Sequence, residues 1–315
     1  MYQFIVRRIL LAIPTLLVVT FIVFSMIRLD PESVVAARLG EGYDTNSPAA
    51  DAVREEYGLN NPFYIEYVRY LGDLLTGDWG RSAISFKPVL EEMGPKIAVT
   101  LELSILAVIF AILIGVPIGV YSAMRQDRWP DYVLRGLAIF GLSVPGFLIA
   151  TVVLALSAYY LDWIPPINYT GITENPWSNF QQMVLPAFIL SLATAAQVMR
   201  YSRTMMLDVL RQDYIRTAWA KGLRERVVIF RHALKNALLP VVTVLGLSMA
   251  LLVGGTVIFE GIFNLPGLGS WLVFSVIQRD FAPVQGATLF FALAVVLINL
   301  IVDISYTVLD PRARR

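Results

Sequence analysis

The four lysines are the first place to look for chemistry, because a phosphate-binding loop needs Gly-Lys followed by a hydroxyl residue. Lys87, Lys96, Lys221 and Lys235 follow Phe86, Pro95, Ala220 and Leu234, so the sequence holds no such loop and no nucleotide site is expected on this chain. Hydrolytic motifs are missing too. There is no His-Glu-x-x-His, and Gly141-Leu142-Ser143-Val144-Pro145 lacks the last glycine of a nucleophile elbow. The single histidine, His232, lies among Arg231 and Lys235, and cysteine is absent. That excludes disulfides, iron–sulfur clusters and thiolate metal sites, and leaves His232 as a surface side chain rather than a ligand. The expectation is a protein with no catalytic residues, no metal and no cofactor of its own.

Transport chemistry would use other residues. Ion-coupled carriers place ionisable groups deep in their spans, whereas Glu102, Glu260 and Asp303 fall near the ends of apolar runs, where they can snorkel or pair. Prolines and glycines interrupt the runs instead: Gly115, Pro117 and Gly119 in the second, Pro145 and Gly146 in the third, Gly254 and Gly255 in the fifth. Such breaks suit a cavity, and small residues equally suit close helix packing. Pro145, Gly254 and Gly255, with the outer-loop residues Asn264, Pro266 and Gly267, are the candidates for a substrate pathway.

The elements that must position these residues are membrane helices. Hydrophobic residues are 57% of the 315 and charged residues 16%, too few charges to cover a soluble domain. Apolar runs at 9–27, 101–121, 134–160, 184–201, 238–259 and 287–308 approach or exceed the roughly 20 residues of a spanning helix. The fold class expected is all-α and polytopic, with six transmembrane helices. A net charge of +1 argues against nucleic acid as a partner. Arg7 and Arg8 before the first run could open an export signal, but no small-x-small cleavage site follows directly, so an uncleaved first span is the better reading. With both termini cytoplasmic, 17 of 25 basic residues lie inside, including Arg312, Arg314 and Arg315, and the short loops agree. The organisation expected is a tail and first span over 1–29, an extracytoplasmic segment over 30–95, a core over 96–308 and a cytoplasmic tail over 309–315. In the outer segment, Phe63, Tyr64, Tyr67, Val68, Leu71 and Leu75 recur at helical spacing, and Gly77-Asp78-Trp79-Gly80 punctuates the end. That segment reads as a cap on the membrane domain or as a docking surface for an outer partner.

One cytoplasmic segment, 200–236, is too long and too apolar to be a connector. Nine basic residues alternate there with Met205, Leu207, Val209, Leu210, Ile215, Ala218 and Trp219. Gly222 should divide it into two helices, the second over 223–237, meeting at a small-residue corner that could enter a cleft on another protein. A pair of amphipathic helices resting on anionic headgroups fits the same residues.

The run Asp213-Tyr214-Ile215-Arg216-Thr217-Ala218-Trp219-Ala220-Lys221-Gly222-Leu223, followed by His232-Ala233-Leu234-Lys235-Asn236-Ala237-Leu238-Leu239-Pro240, resembles the "EAA" loop of ABC-importer permeases, in the version of dipeptide/oligopeptide permease B-type subunits. The likeness continues in Arg7-Arg8-Ile9-Leu10, Tyr57-Gly58-Leu59, Gly77-Asp78-Trp79-Gly80, Phe259 to Gly269 and Asn299-Leu300-Ile301-Val302-Asp303. The chain departs from the pattern where Arg216-Thr217-Ala218 stands for Glu-Ala-Ala and Trp219 for the usual second arginine.

The resemblance implies a type I ABC importer permease in a prokaryotic inner membrane. Its partners would be a second homologous permease subunit, two ATP-binding subunits carrying ATP and magnesium, and an extracytoplasmic solute-binding protein. Tyr214, Ile215, Arg216, Thr217, Ala218, Trp219, Lys221 and Gly222 would form the ATPase-coupling helix. Small side chains at Ala218 and Gly222 would permit close approach, so a bulky residue at 222 should uncouple hydrolysis from uptake. Peptides are the cargo implied, with nickel, glutathione or oligosaccharide as alternatives within the family. An ion-coupled secondary transporter or a membrane scaffold would need no ATP-hydrolysing partner.

Overall fold

A computed structural model of the chain describes residues 2–40, 42–166 and 168–309, with side chains described at most of them. The Asp303 side chain and the tail arginines fall outside the described set. Apolar helices account for most of the described backbone and strands for none of it. Among the described residues, four helices are long and apolar enough to cross a membrane, or up to six when each of two bent pairs counts as one span. The chain divides into two compact units, with divisions inside the helices Val89–Met124 and Phe281–Leu309 and in the loop after Ile262.

One unit begins with α1 (Tyr2–Leu29), followed by α2 (Pro31–Leu39), α3 (Pro48–Glu56) and α4 (Phe63–Thr76), and takes in the start of α5 (Val89–Met124). Asp30 and Ser47 cap α2 and α3 by accepting from the amides of Ser33 and Ala50, and each helix has proline in its first turn, the preferred chemistry for helix starts. Val35, Ala50 and Val53 form the seam between them. Glu32 accepts hydrogen bonds from Tyr43 and Arg54, and these donors, Tyr43 foremost, hold its carboxyl below its ordinary range. The helix expected from the Phe63–Leu75 spacing is α4. Gly77, at φ 88°, closes it with the Asp78 amide reaching the Asp73 carbonyl at 2.8 Å, a left-handed end that glycine supplies without strain.

The same unit holds α12 (Leu268–Ile277) and the start of α13 (Phe281–Leu309). Met93, Leu268 and Ala287 make its core, with Trp79, Trp271 and Phe290 packed around them. Asp280 is 2% exposed and accepts from Ser82 Oγ at 2.5 Å and the Ala83 amide at 2.9 Å. The buried Leu268 amide donates to Thr100 Oγ1 at 2.8 Å.

The other unit contains the rest of α5, α6 (Trp129–Ser143), α7 (Gly146–Leu161), α8 (Pro176–Leu210), α9 (Asp213–Ala220), α10 (Glu225–Val227), a π-helical turn Val228–Ala233, α11 (Leu234–Ile262) and the end of α13. Its centre is α8, whose buried face runs from Met183 to Met206. Only one of the three expected interruptions breaks a helix. At Val144–Pro145 the chain bends 95° between α6 and α7, because Pro145 has no amide to donate and holds its predecessor extended. By contrast, α5 runs unbroken through Gly115, Pro117 and Gly119, and α11 through Gly254 and Gly255. The glycines of α5 are there for contact. A Cβ on Gly115 would lie 2.6 Å from the Ala195 carbonyl oxygen, and one on Gly119 2.6 Å from that of Met199, so α5 and α8 meet backbone to backbone. In the fifth run a 49° bend falls beside Pro240, where the ring removes a helical hydrogen bond.

Candidate coupling site

After α8 ends at Leu210, the chain turns through Arg211 and Gln212 into α9. The Gln212 carbonyl starts the new helix by accepting from the Ile215 and Arg216 amides. Two apolar residues face inward: Ile215 is fully buried and Ala218 is 6% exposed. They join Met206 of α8, Val120 and Ala123 of α5, Val228, Ile229 and Ala233 of the π turn, and Ala237 of α11 in one cluster. The eight-residue helix is thus cemented to the ends of three long helices. Burial of Ile215 alone contributes on the order of 1.5–3 kcal/mol.

The opposite face is open. Tyr214, Arg216, Thr217, Trp219 and Lys221 are all exposed. Arg216 pairs with Asp213 one turn earlier at 3.3 Å, an exposed contact of small energetic weight. Tyr214 is fixed from outside its helix, its hydroxyl accepting from Asn236 Nδ2 at 2.8 Å. The result is a short, rigid element that presents two aromatic rings and two cations.

Two expectations about this loop change. The two corner residues do not form one small-residue surface. Ala218 faces the chain's own core, so it is closed to an outside partner. Gly222 sits at φ 72° with open space around its Cα. Its amide reaches the Trp219 carbonyl at 2.9 Å and the Leu223 amide that of Ala218 at 3.4 Å, the paired closure of a helix end that needs a left-handed residue. The second helix is not separate either: α10, the π turn and α11 run on without a break from Glu225 into the fifth apolar run. Arg200–Leu210 likewise belongs to α8 itself.

A neighbouring ion pair was not visible in the sequence. Asp131, fully buried at the start of α6, receives Arg203 of α8 in a fork, Nε to Oδ1 at 2.8 Å and Nη2 to Oδ2 at 2.7 Å. Ser122 Oγ and the Asp127 amide complete its shell at 2.5 and 3.0 Å. Asp131 and Arg203 stand 72 positions apart, and only the acid among basic neighbours (Arg128, Arg135) gives any hint of it.

The pathway candidates scatter. Gly255 and Gly146 line a cavity of about 310 Å³ between α7, α8 and α11, into which Thr194, Gln197 and Ser248 bring polar groups. Ser248 Oγ lies 3.2 Å from Gln197 Oε1. Their chain neighbours Pro145 and Gly254 are exposed. Asn264, at φ 53°, ends α11 in the same paired closure, with the Leu265 amide on the Glu260 carbonyl at 2.8 Å. Pro266 and Gly267 belong to the other unit, where Gly267 is the residue before α12. Glu260 is buried, and Glu102 accepts from the Tyr169 hydroxyl at 3.0 Å. Burial, and then Glu102, push that phenol well above its ordinary range.

A polytopic helical bundle with a short helix fixed to the ends of three long ones is the architecture of an integral membrane protein. Residues 115–315 match the family described as "Binding-protein-dependent transport system inner membrane component", and residues 1–89 match that family's N-terminal region. The chain belongs to this family and is an ABC-importer permease subunit. It is 40% identical over 335 aligned positions to a dipeptide transport system permease protein of Alkalihalophilus pseudofirmus, with both chains covered in full. It is 38% identical to a glutathione transport system permease protein of Salmonella paratyphi A and 35% to that of Escherichia coli K12, covering all of this chain and 99% of each relative. Among solved structures, the methionine ABC transporter MetNI in an inward-facing form matches with a TM-score of 0.57 at 15% identity, over 70% of this chain and 97% of that one. That likeness establishes the fold.

Proposed function

We propose that this chain forms half of the translocation path of an ATP-driven importer for short peptides, and that α9 is the seat of a partner ATPase on the cytoplasmic side. The observation that carries this reading is the two-faced build of α9. Its inner face is locked to α5, α8 and α11, so a load applied to its outer face is passed to several spans together, as rigid-body alternating access requires. The exposed Tyr214, Arg216, Trp219 and Lys221 would meet the ATPase, which supplies the nucleotide and magnesium. A second permease subunit and a solute-binding protein would complete the assembly, with both termini inside.

Because the chain has no cysteine, Trp219→Cys gives a unique crosslinking site. A short crosslinker should join it to the ATPase in membranes, with a yield that changes between nucleotide-free and nucleotide-bound states. Active uptake with no crosslink in any state overturns the assignment. The cargo reading draws on relatives named for dipeptide and for glutathione, both built from peptide bonds. Uptake by the reconstituted importer should be competed by dipeptides. Competition by glutathione alone would favour the second reading.

A further inference from the structure

α4 carries more apolar surface than its neighbours cover. At about 100° per residue, Phe63, Tyr67, Tyr70 and Leu74 share one side, and the three aromatic residues meet α1. Phe63 and Tyr67 make edge contacts with Phe21, with centroids at 5.4 and 5.6 Å, and Tyr70 lies 5.3 Å from Phe24. The Tyr67 hydroxyl reaches the Leu17 carbonyl at 2.9 Å. Beside this side, turning one way, comes a stripe without a charge: Tyr64, Val68 and Leu75 are 71%, 68% and 89% exposed, and Ile65 extends it. Turning the other way come Glu66, Arg69 and Asp73. The helix is apolar over well more than half its circumference, and α1 covers only part of that arc.

Where α4 rests says what covers the remainder. The α1 residues it touches lie inside the candidate span Leu10–Leu29. Phe24 and Phe21 stand five and eight residues before that span's end, roughly 8–12 Å along the axis, and Leu17, which only the tip of the Tyr67 side chain is shown to reach, about 18 Å. α1 itself leaves Leu17, Val18, Phe21, Ile22 and Met26 exposed, the surface a peripheral span gives to lipid. With its α1-facing side at that height, the stripe on α4 falls near the depth to which interfacial helices sink their apolar face, about 5–10 Å into the headgroup–acyl boundary. Its composition suits that layer, with tyrosines on the apolar side and Arg69, 70% exposed in its side chain, on the polar side. Arg28 pins the loop above by donating to the carbonyls of Asn61 and Gly58, which fixes the height at which α4 meets α1.

We propose that α4 is an interfacial helix, its Tyr64–Val68–Leu75 stripe lying in the lipid of the leaflet at the Arg28 end of α1. It holds the segment between the first two long helices down on the bilayer. The proposal depends neither on the cargo nor on the role of α9.

Single cysteines at 64, 68, 75, 69 and 73, spin-labelled in the assembled transporter in lipid nanodiscs, test it. Collision with oxygen, which concentrates in lipid, should exceed collision with a water-soluble nickel chelate at 64, 68 and 75, with the ratio several-fold lower at 69 and 73. Equal, water-like access at all five positions overturns the proposal. So does protection of 64, 68 and 75 from both reagents, which would mean that a protein covers the stripe. Should Val68→Cys fail to assemble, Leu75→Cys gives the same reading, since that side chain touches least.

Discussion

Gly222 separates two physical accounts that make opposite forecasts. If the position needed smallness, alanine would serve better than asparagine. Because its φ is 72° with nothing near its Cα, the requirement is a left-handed backbone, which costs roughly 1–2 kcal/mol for residues with a Cβ and least for asparagine. Gly222→Asn should therefore retain more transport than Gly222→Ala, and Gly222→Val least, measured as uptake at matched membrane levels. Asp131 makes a second forecast at this scale. Removing one member of a buried pair leaves an uncompensated charge, at a cost of about 3–5 kcal/mol. Asp131→Ala should lower the thermal midpoint of the purified subunit strongly. Asp131→Leu combined with Arg203→Met should recover most of the loss, because no charge is then left buried alone.

Between elements, the contact of α5 with α8 is set by backbone proximity. Gly119→Val would drive its side chain against the Met199 carbonyl and Ser202 Cβ, at 2.6 and 2.7 Å from the first added carbon. Overpacking of this kind costs typically 1–3 kcal/mol, and a lower yield of folded protein by size-exclusion is the expected result. The α2–α3 pair adds a charged tie to its apolar seam. Glu32 is held below its ordinary pKa of 4.5, so its bonds to Tyr43 and Arg54 contribute fully above that pH and fade as pH falls through the folded value. Amide exchange in α2 and α3 should therefore separate wild type from Glu32→Gln at pH 7 and converge in acid. The pair is exposed, and the separation will be small.

Across the whole molecule, the elements with local causes were the legible ones. Apolar run length marked the spans, the Phe63–Leu75 spacing marked α4, and Pro145 marked the sharp bend. The order of motifs around residues 213–240 marked the family, which the match over residues 115–315 bears out. Long-range relations were not legible. Nothing near Asp131 names Arg203 as its partner, and nothing near Gly119 says that a second backbone passes within van der Waals reach. Gly115, Pro117, Gly119, Gly254 and Gly255 read as interruptions in the sequence, but in a span without competing water the backbone bonds around them hold. The helix that the sequence suggests over 223–237 continues into α11. No residue there supplies a stop signal until Pro240, which bends the helix and does not end it.

The π-helical turn at Val228–Ala233 has a consequence for register. A π turn accommodates one residue more than an α-helix would over the same rise, so it acts as slack wound into the shaft between α9 and the fifth apolar run. Drawing that slack out would twist everything above it by about 100° and slide it by roughly 1.5 Å. Excising one residue from the turn would leave a plain α-helix of the same rise, and α11 would keep its present face against α8 with no slack left to draw out.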